Sequence, residues 1–154
     1  MNMPTLTAEH HRLQALVGEW EGPETLDASP WGPASTAIGR STMRLDLDGF
    51  FVVQDYVQEK AGRISFRGHG LFGWDAETKT YCWYWVDSMG FVPSGPARGT
   101  WNGETMLLER ATPRASARYT HRFGADGVYQ FTIENSFDGG QSWTRFMTAS
   151  YRRK

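Results

Sequence analysis

Cysteine is almost missing from this chain. The one thiol, Cys82, excludes an internal disulfide and a cysteine-built zinc site. Long apolar runs are missing too: stretches such as Tyr81–Val86 fall far short of the roughly 20 residues that a membrane-spanning helix needs. No membrane partner is expected. The opening MNMPTLTAEHH lacks the basic stretch and apolar core of a signal peptide, so a cytoplasmic location is expected. Neither sign of charge prevails, with 16 Lys and Arg against 17 Asp and Glu and a formal net charge of −1, which argues against a nucleic-acid partner. No Gly-rich phosphate loop precedes a helix, and adjacent His10 and His11 cannot chelate a metal as an i, i+4 pair would. Ser88 lacks the Gly-x-Ser-x-Gly setting of a hydrolase nucleophile.

Aromatic side chains are abundant instead. Seven Trp, six Tyr and nine Phe make up 14% of 154 residues, too much ring surface for a disordered chain to leave wet. The length suits a single domain over residues 1–154 with a sizeable core. One short helix is expected at the N-terminus, capped by Thr7, with Glu9 in its first turn and Leu13, Leu16 and Val17 on one face. Gly18 closes it. Everything beyond reads as strand and turn. Asp48-Gly49, Asn102-Gly103 and Asp126-Gly127 favour tight hairpins, and Ala61-Gly62, Asp75–Lys79 and Asp138-Gly139-Gly140 supply further reversals.

Nine strands are expected: Glu19–Leu26, Thr36–Leu47, Phe50–Lys60, Arg63–Trp74, Thr80–Ser88, Thr105–Ala111, Ala115–Phe123, Val128–Phe137 and Trp143–Arg153. The clearest alternation sets Tyr129, Phe131, Ile133, Asn135 and Phe137 against Gln130, Thr132, Glu134 and Ser136. Long strands joined by hairpins curl and close on themselves, which removes exposed edges. The expected fold is all-β, an antiparallel up-and-down barrel of about 8–10 strands with a short N-terminal helix and interior room for one small ligand. A two-sheet sandwich is the competing arrangement. The DASPWGP segment, Asp27–Pro33, is placed over an open end.

Several motifs refine this picture. Ser136 through Trp143 matches the Asp-box pattern S-x-D-x-G-x-[ST]-W, a hairpin device in which the Asp bonds turn backbone and the Trp covers it. Gly18-Glu19-Trp20 after the helix, followed by a long meander and a late Arg, resembles the lipocalin-like, or calycin, barrels. That resemblance implies a structural role for Trp20 as a floor plug, with Arg145 or Arg153 stacked on it; Arg145 is assigned the role. Phe66-Arg67-Gly68-His69-Gly70, Gly73-Trp74-Asp75, Trp85–Gly90 and Gly49–Tyr56 resemble the DUF1579 family, and the likeness runs from Leu16–Gly22 to Tyr151. It implies a bacterial protein of that fold, and carries no catalytic residue and no established activity.

The candidate ligand-binding residues are Gln54, Tyr56, His69, Trp85, Asp87 and His121. His69 lies between two glycines that leave space beside its ring, although alternation with Phe66 and Phe72 turns it outward if those rings fill the core. His121 shares a face with Tyr119 and Phe123; among calycins of nitrobindin type an inward histidine holds haem, so haem is the one cofactor the resemblance raises. Asp87 shares a face with Tyr81, Trp83 and Trp85. A carboxylate among indoles would serve as a general acid or base, and otherwise it caps the turn Asp87–Gly90. Arg110, Arg114, Arg118 and Arg122 recur every four residues and read as a solvated outer face. The function expected is binding of a small apolar or aromatic molecule inside the barrel. The alternatives are a barrel isomerase, lyase or hydrolase using Asp87 or a histidine, and a docking module exposing Trp31, Trp83 and Trp101. The sequence leaves open a homodimer as well.

Overall fold

The computed structural model describes residues 2–154. The N-terminal helix is shorter than the apolar stripe suggests: α1 covers Ala8–Arg12 and continues as one 3-10 turn, Leu13–Leu16. Thr7 caps it, and its backbone N–H and hydroxyl both reach His10 Nδ1 at 3.0 Å. Leu13 and Leu16 are buried against the barrel, and Gly18, at φ +145°, turns the chain into the first strand where a side chain would meet Arg153.

Ten antiparallel strands follow: β1 (Gly18–Leu26), β2 (Ser35–Asp46), β3 (Phe51–Lys60), β4 (Arg63–Asp75), β5 (Thr80–Asp87), β6 (Ala97–Asn102), β7 (Thr105–Ala111), β8 (Ser116–Phe123), β9 (Tyr129–Ser136) and β10 (Thr144–Arg153). Each pairs with its sequence neighbours, and β1 closes on β10 with Trp20 opposite Arg153 and Leu26 opposite Met147. The barrel is closed, and the sandwich is excluded. β6 is the strand that the sequence hides. Pro93, Gly95 and Pro96 precede it, and Gly99 interrupts its alternation because a Cβ there would strike the Leu107 carbonyl 1.7 Å away.

The two ends differ. α1, the 3-10 turn and the hairpins β2–β3, β4–β5, β6–β7 and β8–β9 gather at one end, while the longer segments 27–34, 88–96 and 137–143 gather at the other. Trp20 plugs the helical end, donating its indole N–H to the Leu16 carbonyl at 2.8 Å. The stacked arginine is Arg153, its guanidinium 4.2 Å from the indole centroid and bonded to the Val17 and Ala15 carbonyls. Arg145 does not take that role. It lies near the start of β10, at the far end of the barrel, and forks onto Asp27 at 2.8 and 3.0 Å. A belt of rings fills the closed end: Trp74–Tyr81, Tyr81–Trp101, Trp101–Phe123, Phe123–Tyr129 and Tyr129–Trp20 have centroids 4.5–5.6 Å apart. Each pair adds roughly 0.5–1.5 kcal/mol beyond its area burial.

Candidate functional site in the open half of the barrel

Period-two alternation decides which side chains see the interior, and on one wall every polar group there is engaged. Glu24 on β1 is wholly buried. Its carboxylate accepts from the Tyr56 hydroxyl at 2.7 and 2.8 Å, from Gln58 Nε2 at 2.9 Å and from the Tyr151 hydroxyl. Burial, and then the Glu24 charge, push both tyrosine hydroxyls well above their usual range, so they act as fixed donors. Below them, Gln54 donates to Ser41 Oγ at 3.1 Å and accepts from the Trp83 indole at 3.2 Å. The glycines on this side serve that packing. A Cβ at Gly39 would meet Glu24, one at Gly68 would meet Trp85, and one at Gly70 would meet Gln54 and Trp83.

His69 is corrected by the same alternation. Gly68 and Gly70 face inward, so His69 faces outward, 72% exposed at its side chain, and pairs with Asp55 at 2.8 Å. The space beside the glycines is taken by indoles.

On the opposite wall two buried nitrogens have no partner. Met106, Leu108 and Arg110 share the inner face of β7, and Arg110 Nε is buried and unbonded. This corrects the reading of Arg110 as part of an outer strip. The four arginines do not line one face: Arg114 lies in the β7–β8 turn, and Arg118 and Arg122 point outward to Glu109 and Glu104. Arg118 also lies over Trp143, the tryptophan of the Asp box. Where Arg40, Arg44, Arg98, Arg118, Arg122 and Arg145 each meet a carboxylate, Arg110 meets none among the described residues.

His121 on β8 is the second case. Its Nδ1 lies 2.6 Å from the Tyr129 hydroxyl, while Nε2 is buried without a partner. Burial lowers its pKa to about 3, so the ring is neutral and Nε2 is an idle N–H or an idle lone pair, depending on which way the Tyr129 bond runs. Phe131, Trp83 and Phe72 surround the imidazole at centroid distances of 4.7, 5.5 and 5.7 Å.

Exposure changes with depth. On the inner face Met106, Leu108, His121 and Phe131 are buried, whereas Trp85, Asp87, Arg110, Tyr119, Ile133 and Asn135, nearer the mouth, are half-buried. Trp85 donates to Asp87 Oδ2 at 2.8 Å, and the Met89 N–H reaches Oδ1 at 3.0 Å, so Asp87 caps its turn and orients an interior indole at once. The hydrogen-bonded ladder has a notch at this level. β6 pairs with β5 only through Tyr81–Trp83 and with β7 only as far as Glu109. Trp85 and Asp87 stand beyond its paired rungs on one side and Arg110 on the other, and the 88–96 segment spans the gap with Phe91 and Val92 exposed.

Of the sequence-derived set, then, Gln54, Tyr56, Trp85, Asp87 and His121 face inward and His69 does not. Glu24, Gln58, Tyr151, Tyr119 and Arg110 face the interior too and lie outside that set. Period two carries the signal for two of them, because Trp20, Gly22, Glu24 and Leu26 share a face, as do Met106, Leu108 and Arg110. The docking alternative loses its basis: Trp83 and Trp101 are buried, and of the three only Trp31 is exposed, packed edge-to-face on Phe146. Two surface concavities, one beside Glu104, Arg122 and Asp126 and one beside Thr36, Ile38 and Glu59, lie away from Arg110 and His121.

Residues 5–153 match the family described as "Protein of unknown function (DUF1579)". The chain belongs to the DUF1579 family. No curated protein matches it. Among solved structures it is similar to Rv2717c from M. tuberculosis, at 13% identity and a TM-score of 0.67 over 97% of this chain and 99% of that one. It is similar also to the S-type phycobiliprotein lyase CPES from Guillardia theta, at 10% identity and a TM-score of 0.67 over 96% and 93%. At these identities the likeness to both is one of fold. The family membership adds no residue roles to those read from the DUF1579 chain itself.

Proposed function

We propose that this DUF1579 barrel binds a small, largely apolar or aromatic molecule in the open half of its interior. The observation that carries the reading is the asymmetry between the walls. Around Glu24 and Gln54 the hydrogen bonds are complete, whereas Arg110 Nε and His121 Nε2, on the adjacent strands β7 and β8, are buried and unspent. A buried donor without a partner costs roughly 1–3 kcal/mol, which a guest bringing an acceptor would recover. Trp85, Tyr119 and Ile133 offer the apolar walls such a guest needs, and the notch in the ladder between β5 and β7 is where it would enter. The shared fold with a protein named a phycobiliprotein lyase is consistent with this use of a barrel, though one fold hosts many functions.

Native mass spectrometry of the freshly purified protein tests the reading. The expected result is a co-purifying small molecule that leaves on collisional activation, with quenching of tryptophan fluorescence when aromatic amphiphiles are added to the emptied protein. A bare mass together with no quenching by any such amphiphile would overturn it.

A further inference from the structure

Resting on that reading, we infer that the guest is an acid, an aromatic or apolar body carrying a carboxylate or sulfonate-like group that Arg110 receives. Arg110 is an inward cation on β7 with a buried, unbonded Nε and no carboxylate beside it among the described residues. A guanidinium has five donors in a planar fork, and its strongest partner is a planar anion taken by two of them. Two carboxylates face the interior, and both are engaged elsewhere. Glu24 is occupied by Tyr56, Gln58 and Tyr151. Asp87 is occupied by the Trp85 indole and the Met89 N–H. Neither forms an ion pair with Arg110, so the arginine's donors stay free.

Position supports the same conclusion. Arg110 lies one rung beyond the last β6–β7 pair, Glu109 with Arg98, and opposite Ala117 on β8, whose methyl group offers its buried Nε no acceptor. Tyr119 lies two residues further along β8, where burial, chiefly, raises the pKa of its hydroxyl while the Arg110 charge lowers it and the Asp87 charge raises it. An acid entering through the notch would set its charged head at Arg110 and its rings against Tyr119 and Trp85. Asp87 then has a definite effect: its negative charge opposes the guest's head and weakens the binding of any anion.

The experiment uses two probes with the same ring body, anilinonaphthalene sulfonate and its uncharged counterpart phenylnaphthylamine, titrated into the full chain. The quantity read is the ratio of their affinities. In the wild type the sulfonate is expected to bind about tenfold tighter, the scale of one charge-assisted contact. Arg110→Gln brings the ratio close to one, Arg110→Lys restores part of it, and Asp87→Asn raises it above the wild-type value. If Arg110→Gln does not fold, Asp87→Asn and Arg110→Lys decide alone, and no rise in the former overturns the inference. A wild-type ratio near one, or a ratio that Arg110→Gln leaves intact, overturns the acid and leaves the binding reading standing. Failure of both probes to bind removes both.

Discussion

Burial holds the His121 imidazole neutral down to about pH 3, whereas an unfolded chain would protonate it near 6.5. Below that value the unfolded state takes up a proton that the folded state refuses, so folding stability falls as the pH drops from 6.5 toward 3. The loss between pH 7 and pH 5 is about 2 kcal/mol from this one residue. Chemical denaturation at the two pH values should show it, and His121→Phe should flatten the dependence. Asp138 behaves differently. Bonds from Ser142, chiefly, and from Ser136 lower its carboxyl to about 2, so its contribution is present above about pH 4 and is lost as the pH falls through 2. Glu24 tests the opposite wall. Glu24→Ala strands the Tyr56, Gln58 and Tyr151 donors in the interior and is expected to cost about 3 kcal/mol or more, while Glu24→Gln, which keeps one acceptor, should cost distinctly less. Urea titration measures both.

Among the elements, two of the three arginines on the last strand, Arg153 and Arg145, do unequal work. Arg153 covers the Trp20 indole and bonds the Ala15 carbonyl of the 3-10 turn and the Val17 carbonyl just after it, tying β10 to the plug. Arg153→Ala should cost about 1–2 kcal/mol, the sum of a cation–π contact and hydrogen bonds from a charged donor. Arg145 forms an exposed fork with Asp27 that solvent screens, and Arg145→Ala should lower stability distinctly less than Arg153→Ala. Denaturation midpoints of the two variants, compared at equal ionic strength, decide the ranking. β6 shows how an element disappears from view. It has one large inward side chain, Trp101, and its Gly99 exists because the β7 backbone comes too close for a Cβ.

Over the whole molecule, closure depends on the seam between β1 and β10, strands more than a hundred residues apart in the chain. Gly22 sits at that seam, where a Cβ would lie 1.8 Å from the Ser150 carbonyl. Gly22→Ala must push the two backbones apart. It is expected to destabilise the barrel by about 3 kcal/mol or more and to speed hydrogen exchange in β1 and β10 more than in β4 and β5. Exchange mass spectrometry resolves that difference. The same separation makes folding depend on late, long-range pairing, so refolding in the range of milliseconds to seconds is expected by stopped-flow fluorescence.

Much of this was legible because turn chemistry and period two are local. The hairpin at Ala61-Gly62, with both residues at positive φ, the Asp-box turn after Ser136 and the alternation through Tyr129, Phe131 and Ile133 need only their neighbours to be read. The candidate site was legible in part for the same reason: Tyr56, Trp85, Asp87 and His121 sit on faces already marked by aromatic residues, whereas Glu24 and Arg110 carry charges that disguise an inward face. By itself the sequence determined an aromatic-rich, antiparallel all-β meander with a short N-terminal helix, since backbone propensity and alternation act within a few residues, while closure by β1 on β10 was left to the tertiary structure. Only the tertiary structure decided that Arg153 rather than Arg145 meets Trp20, that indoles fill the space beside His69, and that Arg110 faces the interior without a partner. Those outcomes depend on which strands lie opposite at closure, and on which donors and acceptors find each other across the barrel.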